Sequence, residues 1–305
     1  MASAAWLATA ALSDRAVTAG VLGALVIAFS AILVDLADVA PATAAVYRCA
    51  YALPVLGAMA WWEHRRFGPR SARERWLAAA AGLLFAVDIM VWHYAIKDVG
   101  AGLATVLGNL QVVIVPFLAL ALLGEKVPRR ILAALAPVCG GVLLVSGALE
   151  HGAYGVNPAR GALLGIATGV AYSAYLLVQR QGSMDLRRPA GALFEMSLVA
   201  AAISLGFGLV IGVDDLAPTW PSAGWLITLA LTSQVVGWLL ITFSLPRLPA
   251  ALTSMILTIQ PIASVGLGAI LLGQEPSALQ LCGVAFILGG VISVAVRRAP
   301  ARTAG

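Results

Sequence analysis

The sequence predicts an all-α integral membrane protein with ten transmembrane helices, arranged as two inverted repeats of five helices each. Three observations lead to this fold class. Of the 305 residues, 61% are hydrophobic and 11% are charged, whereas a soluble domain has about 25% charged residues. The apolar residues occur in runs of about 20, the length of a helix that crosses a bilayer. Finally, a stretch of the first half returns in the second half.

Continuous apolar runs, rather than ten-residue alternations, favour helices over a β-barrel as the membrane-spanning structure. Clusters of charged, proline and glycine residues divide the chain into ten apolar segments joined by short connections. Numbered 1 to 10, these segments cover residues 16–37, 41–62, 74–96, 99–122, 129–148, 159–181, 189–212, 222–245, 248–272 and 277–296.

The basic residues predict the orientation of these segments. With the N-terminus inside, sixteen of the nineteen Lys and Arg residues fall in cytoplasmic connections or tails, and two fall on the other side. Such an excess of Lys and Arg is typical of the cytoplasmic loops of membrane proteins. It predicts a multi-pass protein of the cell (plasma or inner) membrane with both termini in the cytoplasm. The basic pI of about 9.4 then reflects these loops, and no nucleic-acid partner is expected.

The repeated stretch covers residues 109–146 and 258–293. Gln111 aligns with Gln260, and an LLG tripeptide follows at the same distance in each copy. Five crossings are an odd number, so consecutive copies have opposite orientations, as in secondary transporters whose substrate sites lie between inverted repeats. The alternative is chance similarity between Ala-, Leu- and Gly-rich helices. We place the two repeats at residues 1–152 and 153–305.

Each repeat closes with an LLGE or LLGQE turn before a glycine-rich last helix, and Tyr47 and Arg48 form an aromatic–Arg pair in segment 2. In these features the chain resembles the EamA-type members of the drug/metabolite transporter superfamily. The resemblance implies a carrier of small metabolites, often an exporter of amino acids or related compounds. It also implies a central cavity lined by segments 1–4 and 6–9. Val112 departs from the family pattern, which often has Pro there, as Pro261 does in the second repeat.

Three charged residues lie within the predicted membrane segments, where a charge costs about 2.5–3.5 kcal/mol on insertion scales. They are Arg48, Asp88 and Glu195. Asp88 and Trp92 are four residues apart and share a helix face, with His93 beside it. This group suits binding of a substrate ammonium or transfer of a proton. The alternatives are an Asp88–Arg48 pair that locks two helices, a Glu195 that reaches the basic loop before it, and a His93 that forms an interfacial hydrogen bond.

Neutral polar and aromatic residues form further stripes, spaced three or four residues apart on segments 4, 6, 8 and 9. Because amides and hydroxyls need partners in hydrocarbon, the stripes are expected to face one another or water. Such a lining suits a small amphipathic solute, although ordinary hydrogen bonding between helices is the alternative. Besides Asp88, Trp92 and His93, the predicted substrate-binding residues are Asn109, Gln111, Tyr172, Tyr175, Gln234, Trp238 and Gln260.

No motif indicates an enzyme, a cofactor or a metal site. The sequence has no phosphate-binding loop and no HExxH motif, and the three cysteines lack metal-ligand spacing. We therefore predict a secondary carrier or facilitator whose partners are a small-molecule solute and the lipid bilayer. A broad-specificity drug efflux carrier is the alternative, followed by an intramembrane enzyme or a membrane sensor. Coupling of transport to protons is possible but not decided by the sequence. A homodimer is also possible, because the small-residue face at Gly161, Gly165 and Gly169 suits helix packing either within the bundle or between two chains.

Overall fold

A computed structural model of the chain describes residues 2–123, 127, 129–211, 216–244, 247–248 and 256–295. Every regular element in these ranges is helical, and no strand occurs among them. The predicted all-α class is therefore confirmed for the part of the chain that the structure describes. The turn residues Glu125 and Lys126 and the basic C-terminal tail from residue 297 lie outside the described residues.

The helices follow the order of the ten apolar segments. In the first half they are α1 (Ala2–Ala37), α2 (Pro41–Ala50), α3 (Leu53–Phe67), α4 (Ala72–Gly108), α5 (Gln111–Leu123) and α6 (Arg129–Val145). In the second half they are α7 (Pro158–Gly182), α8 (Pro189–Val210), α9 (Ser222–Leu229), a π-helical segment (Ala230–Gly237), α10 (Trp238–Ser244), α11 (Ile259–Leu272) and α12 (Ala278–Ala295).

Five of the described helices are long and apolar enough to cross a membrane. The other predicted segments contain shorter helices or a break: segment 2 is divided into α2 and α3, and segment 4 is divided between the end of α4 and α5. Ten crossings thus stay a prediction, while a multi-pass membrane protein is supported directly. The five long spans are Arg15–Ala37, Ala72–Gly108, Pro158–Gly182, Pro189–Val210 and Ser222–Ser244.

The breaks have local causes. Pro54 has no backbone N–H to donate to Ala50, so the helix of segment 2 is interrupted there. Gly100 lies within α4 with φ 81° and ψ 165°, a conformation open to glycine alone, and it turns the chain between segments 3 and 4. At the end of α4 the side-chain amide of Asn109 donates to the Thr105 carbonyl oxygen at 3.0 Å. This hydrogen bond competes with the backbone hydrogen bonds that would continue the helix.

The connections between helices gather at two ends of the bundle. At one end, Arg70 donates to the Gly182 carbonyl oxygen at 2.8 Å, and Arg247 donates to the Leu186 carbonyl oxygen at 3.3 Å. These contacts join connections that the predicted topology places on the same side of the membrane. We call the surface formed by residues 65–75, 180–188 and 247–248 the basic end.

At the other end, contacts again join the two halves of the chain. The Arg160 guanidinium donates two hydrogen bonds to the Asp98 carboxylate, at 2.7 and 2.6 Å. The Gln274 side chain accepts from the Gly102 N–H at 3.3 Å, close to the turn at Gly100. We call the surface formed by residues 98–102, 150–160 and 273–280 the opposite end.

Glycine faces join the two halves closely. A Cβ atom added at Gly161 would lie 2.2 Å from Val99 Cγ1, and one added at Gly165 would lie 2.4 Å from Leu107 Cβ. The small-residue face of α7 therefore packs against α4 inside the bundle. In the last helices of the halves, a Cβ added at Gly141 or at Gly283 would lie 2.6 Å from the carbonyl oxygen of the other glycine. The backbones of α6 and α12 are thus in direct contact.

Candidate functional site

A small cavity of about 60 Å³ lies in the middle of the bundle. Helices α1, α2, α4, α7 and α10 and the start of α11 enclose it, so both halves of the chain contribute to its wall. Its volume holds a few water molecules or a small solute, by comparison with the roughly 30 Å³ that one water occupies in the liquid. The lining residues are Ile27, Arg48, Phe85, Asp88, Ile89, Trp92, Thr105, Gly108, Asn109, Thr168, Tyr172, Trp238 and Gln260.

Arg48 is held in the cavity wall by both halves of the chain. Its Nη1 donates to Ser30 Oγ at 2.8 Å, and its Nε donates to Gln234 Oε1 at 3.0 Å. The guanidinium carbon also lies 5.6 Å from the ring centroid of Phe85 and 5.8 Å from that of Trp92, within the range of cation–π attraction. These neighbours fix the position of the positive charge, and no carboxylate of the described residues lies within 4.0 Å of it.

Gln234 reaches Arg48 from the π-helical segment. Its Oε1 accepts from Arg48, while its Nε2 donates to Ser197 Oγ at 3.0 Å. Both ends of the amide are therefore satisfied, and its side chain is fully buried. A π-helical turn adds a residue to a helix and is frequent at functional sites. Gln234 is a residue that positions Arg48, and it does not itself line the cavity.

Asp88 is the acidic residue of the cavity wall. It is 6% exposed. Among the described residues none donates a hydrogen bond to it, and no Arg or Lys nitrogen lies within 4.0 Å of its carboxylate. The ion pair between Asp88 and Arg48, considered as an alternative from the sequence, does not form at contact distance. The cavity thus has an anionic group and a cationic group in its wall, and neither is neutralised by direct contact with the other.

Aromatic rings form the part of the wall that faces the basic end. The Tyr175 ring lies 4.9 Å from that of Phe85 and 5.3 Å from that of Trp238, measured between centroids. Tyr172 stacks on Tyr175 at 6.1 Å. Tyr175 is fully buried, so this cluster separates the cavity from the basic end. Large, rigid rings with few rotatable bonds suit a wall that contacts an organic solute.

Several polar atoms of the lining lack a partner. Asn109 Oδ1, Thr168 Oγ1, Trp238 Nε1 and Gln260 Nε2 are buried and make no hydrogen bond within the described structure. Buried polar atoms are bonded in the great majority of cases, so acceptors and donors left free around one cavity indicate that water or a ligand bonds to them. The cavity can therefore offer a solute two opposite charges, aromatic faces, two acceptors or hydroxyls and two N–H donors.

The structure brings seven of the twelve singled-out residues together at the cavity: Arg48, Asp88, Trp92, Asn109, Tyr172, Trp238 and Gln260. The other five do not line it. Tyr175 lies behind the wall, and Gln234 holds Arg48. The Nδ1 atom of His93 lies 3.2 Å from the Pro41 carbonyl oxygen, and Gln111 is buried after the break at Asn109.

Glu195, the fifth of these, lies at the basic end. Its carboxylate is 2.5 Å from Arg70 Nη1 and 3.5 Å from Arg75 Nε. Arg70 belongs to the connection between α3 and α4 and Arg75 to the first turn of α4, whereas the sequence had suggested partners in the loop before α8. Glu195 therefore links the two halves of the chain and has no contact with the central cavity.

A second set of charges also closes the basic end. The guanidinium groups of Arg187 and Arg188 hydrogen-bond to Asp185 and hold the pKa of its carboxyl well below the usual range. Arg188 in addition donates to the carbonyl oxygens of Gly68 and Pro69, at 3.1 and 2.7 Å. Contacts between the halves thus join both ends of the bundle, on either side of the central cavity.

Thr105 belongs to the polar stripe of segment 4 but was not among the predicted substrate-binding residues, and sequence reasoning missed the lining residues Ile27, Phe85, Ile89, Gly108 and Thr168. Thr168 and Phe85 had a detectable signal, because Thr168 lies four residues before Tyr172 and Phe85 lies three residues before Asp88. Ser30, which accepts a hydrogen bond from Arg48, had no such signal in the sequence. Among the described residues no group of three His, Cys, Asp or Glu side chains is placed to hold a metal ion.

A multi-pass helical bundle with a small central cavity between its halves, lined by charged, polar and aromatic side chains, is the arrangement typical of membrane transporters. Comparison with known proteins agrees. The model of the EamA-like transporter family matches residues 14–147 and again residues 159–296. The chain belongs to this family of the drug/metabolite transporter superfamily, and is a membrane transporter of small solutes. A transporter family also agrees with the prediction that the chain is not an enzyme.

Two individual proteins show how far the similarity extends. The chain is 30% identical over 235 residues to a Pseudomonas aeruginosa protein described as "Uncharacterized protein PA1977", with 77% of each chain covered. A crystal structure, described only as that of a protein, matches with a TM-score of 0.63 and 18% identity over 92% of this chain and 96% of its own. At that identity the second likeness shows a shared fold alone.

Proposed function

We propose that the chain is a secondary carrier that exports small amine-bearing metabolites, amino acids or related compounds, by alternating access through the central cavity. The observation that carries this proposal is the Asp88 carboxylate, which is buried in the cavity wall without a cationic partner at contact distance. A substrate ammonium supplies that partner, and the charge-assisted hydrogen bond it forms is stronger than a neutral one.

The Arg48 guanidinium extends the argument to zwitterions. It is fixed by Ser30 and Gln234, yet a guanidinium has five N–H donors, so donors are left for a substrate carboxylate. A free amino acid carries both charges, which match Asp88 and Arg48. The resemblance to exporters of amino acids supports the outward direction, and the distribution of basic residues supports a location in the cell membrane with both termini in the cytoplasm.

Alternating access is supported by the contacts at the two ends. At the basic end Arg70 and Glu195 join the halves, and at the opposite end Asp98 and Arg160 do so. A solute leaves the central cavity when one of these sets of contacts opens. In the alternating-access mechanism the basic end opens towards the cytoplasm. The five predicted segments of one half then move, as one of two inverted repeats, against the five segments of the other half.

The test is counterflow in liposomes that contain the purified protein. We expect labelled amino acids to be exchanged against unlabelled amine-bearing solutes at a rate that protein-free liposomes do not show. Exchange of neutral sugars at the same rate would contradict the role of the charges. If bulky hydrophobic drugs exchange as fast as amino acids, the chain is a broad-specificity efflux carrier. The cavity favours the first outcome, because drug-sized ligands occupy pockets of roughly 300–1,000 Å³.

Proton coupling is tested with the same vesicles. If Asp88 also carries the coupling proton, the substitution Asp88→Asn abolishes concentrative uptake under a pH gradient, because an amide does not release a proton at these pH values. Exchange persists at substrate concentrations high enough to offset the weaker binding of the ammonium. Concentrative uptake that is unchanged in the variant would exclude this role for Asp88.

A further inference from the structure

Six buried polar atoms between the cavity and the basic end make no hydrogen bond within the described structure. They belong to five side chains, each less than one-tenth exposed. Because the large majority of buried polar side-chain atoms are bonded, a group of six in one place requires an explanation. The atoms are Tyr175 OH, Gln179 Oε1 and Nε2, Ser183 Oγ, Trp238 Nε1 and Thr242 Oγ1.

These atoms form two facing stripes. Tyr175, Gln179 and Ser183 are four residues apart, so they share a face of α7 and the turn after it, and Trp238 and Thr242 share a face of α10 in the same way. The rings of Tyr175 and Trp238 lie 5.3 Å apart between centroids, which places the inner ends of the stripes against each other directly beside the cavity.

Both stripes lead from the cavity to the basic end. Helix α7 ends at Gly182, whose carbonyl oxygen accepts from Arg70. Helix α10 ends at Ser244, shortly before Arg247, which donates to the connection between α7 and α8 at Leu186. Each step of four residues along either helix therefore moves one turn away from the cavity and towards the basic end.

Other hydroxyl groups on the same helices have partners. Ser173 Oγ donates to the Gly169 carbonyl oxygen at 2.6 Å, and Ser244 Oγ donates to the Ala16 carbonyl oxygen at 2.9 Å. A Ser or Thr in a helix can bond the carbonyl oxygen four residues earlier, but Ser183 and Thr242 do not. On the part of α7 and α10 between the cavity and the basic end, the atoms without partners therefore lie on these two stripes, while Thr168 Oγ1, earlier on α7, lines the cavity itself.

We propose that these five side chains line a hydrated passage between the cavity and the cytoplasm, in which water provides the missing hydrogen bonds. The Tyr175 and Trp238 rings close its inner mouth in this conformation. The stripes contain no formal charge, so they suit the hydroxyl, amide and water-bound groups of a small solute and do not retain it by ion pairing. The passage of solute and the cytoplasmic direction rest on the proposed function, whereas the water does not.

Cysteine labelling tests the passage. In a background that carries Cys49→Ala, Cys139→Ser and Cys282→Ser, we introduce Gln179→Cys and Ser183→Cys separately. A small, cationic, membrane-impermeant methanethiosulfonate is added to either face of sealed vesicles. We expect both cysteines to react when the reagent is on the cytoplasmic face. Two positions are used so that one variant that fails to fold does not decide the result. Only variants that elute as a single species in size-exclusion chromatography are compared.

The controls are Ser173→Cys and Ser244→Cys, because these buried hydroxyls lie on the same two helices but have partners. We expect Gln179→Cys and Ser183→Cys to react at least tenfold faster than either control. Equal rates for probes and controls would overturn the passage, and reaction from the other face alone would overturn its direction. Labelling does not require transport, so a protein that labels as expected but moves no amine would refute the proposed function and leave the passage intact.

Discussion

Replacement of Asp88 by Asn removes the negative charge of the cavity wall and keeps the shape of the side chain. A hydrogen bond to a charged group contributes about 1.5–3 kcal/mol, and a neutral one about 0.5–1.5 kcal/mol. The variant therefore loses about 1–2 kcal/mol of binding free energy for a solute with an ammonium group. Since 1.4 kcal/mol corresponds to a factor of ten, the Kd rises roughly 5- to 30-fold.

Glu195→Gln is the matched control. It makes the same chemical change in a transmembrane helix, but Glu195 bonds Arg70 and Arg75 at the basic end and does not line the cavity. Its Kd is expected to stay within about twofold of the natural protein's. The assay is isothermal titration calorimetry on purified protein, with an amino acid and with its analogue that lacks the amine.

Three results would refute this reasoning. Asp88→Asn could bind the amino acid as tightly as the natural protein does, or both variants could lose affinity equally. Alternatively, the analogue without an amine could lose as much affinity as the amino acid. In each case the carboxylate of Asp88 would not be the group that recognises a substrate ammonium.

Two further substitutions test the packing around the cavity. Gly165→Leu forces a side chain against Leu107, 2.4 Å from the new Cβ, and is expected to cost about 1–3 kcal/mol of stability; thermal unfolding in detergent measures this. Gly206→Leu, where no atom lies within 4 Å of the added Cβ, should unfold like the natural protein. Gln234→Leu leaves Arg48 Nε without its acceptor and should cost about 1–3 kcal/mol, measured by denaturant unfolding. A Gln234→Leu protein of unchanged stability would disprove the positioning role.

The order and approximate bounds of the helices could be predicted because membrane thickness fixes the length of an apolar run. The positions of breaks inside a run could not be. Gln111 and Gln260 align in the repeat, and both were expected at the substrate site. The structure places Gln260 at the cavity and Gln111 away from it. The helix breaks at Asn109, so Gln111 begins a new helix and its face is no longer continuous with that of Thr105.

The same limit applies to the second half. Gln234, Trp238 and Thr242 form one stripe if the helix has 3.6 residues per turn throughout. The chain is π-helical from Ala230 to Gly237, so Gln234 is turned to Arg48 while Trp238 lines the cavity. Nor could the sequence tell whether Arg48 would bond Asp88 or neutral groups, since that choice depends on helix positions that no pattern of residue types encodes.

The contact between Gly141 and Gly283 limits how the bundle can move. Each backbone occupies the space that a side chain would need on the other helix. Sliding α6 along α12 by one helical turn would therefore bring Pro137 or Val145, which share the face of Gly141, against the carbonyl group of Gly283. A rotation about the crossing point keeps the two glycines together. These last helices of the halves can therefore serve as a fixed pivot about which the cavity-lining helices tilt. A covalent cross-link engineered there should leave solute exchange intact.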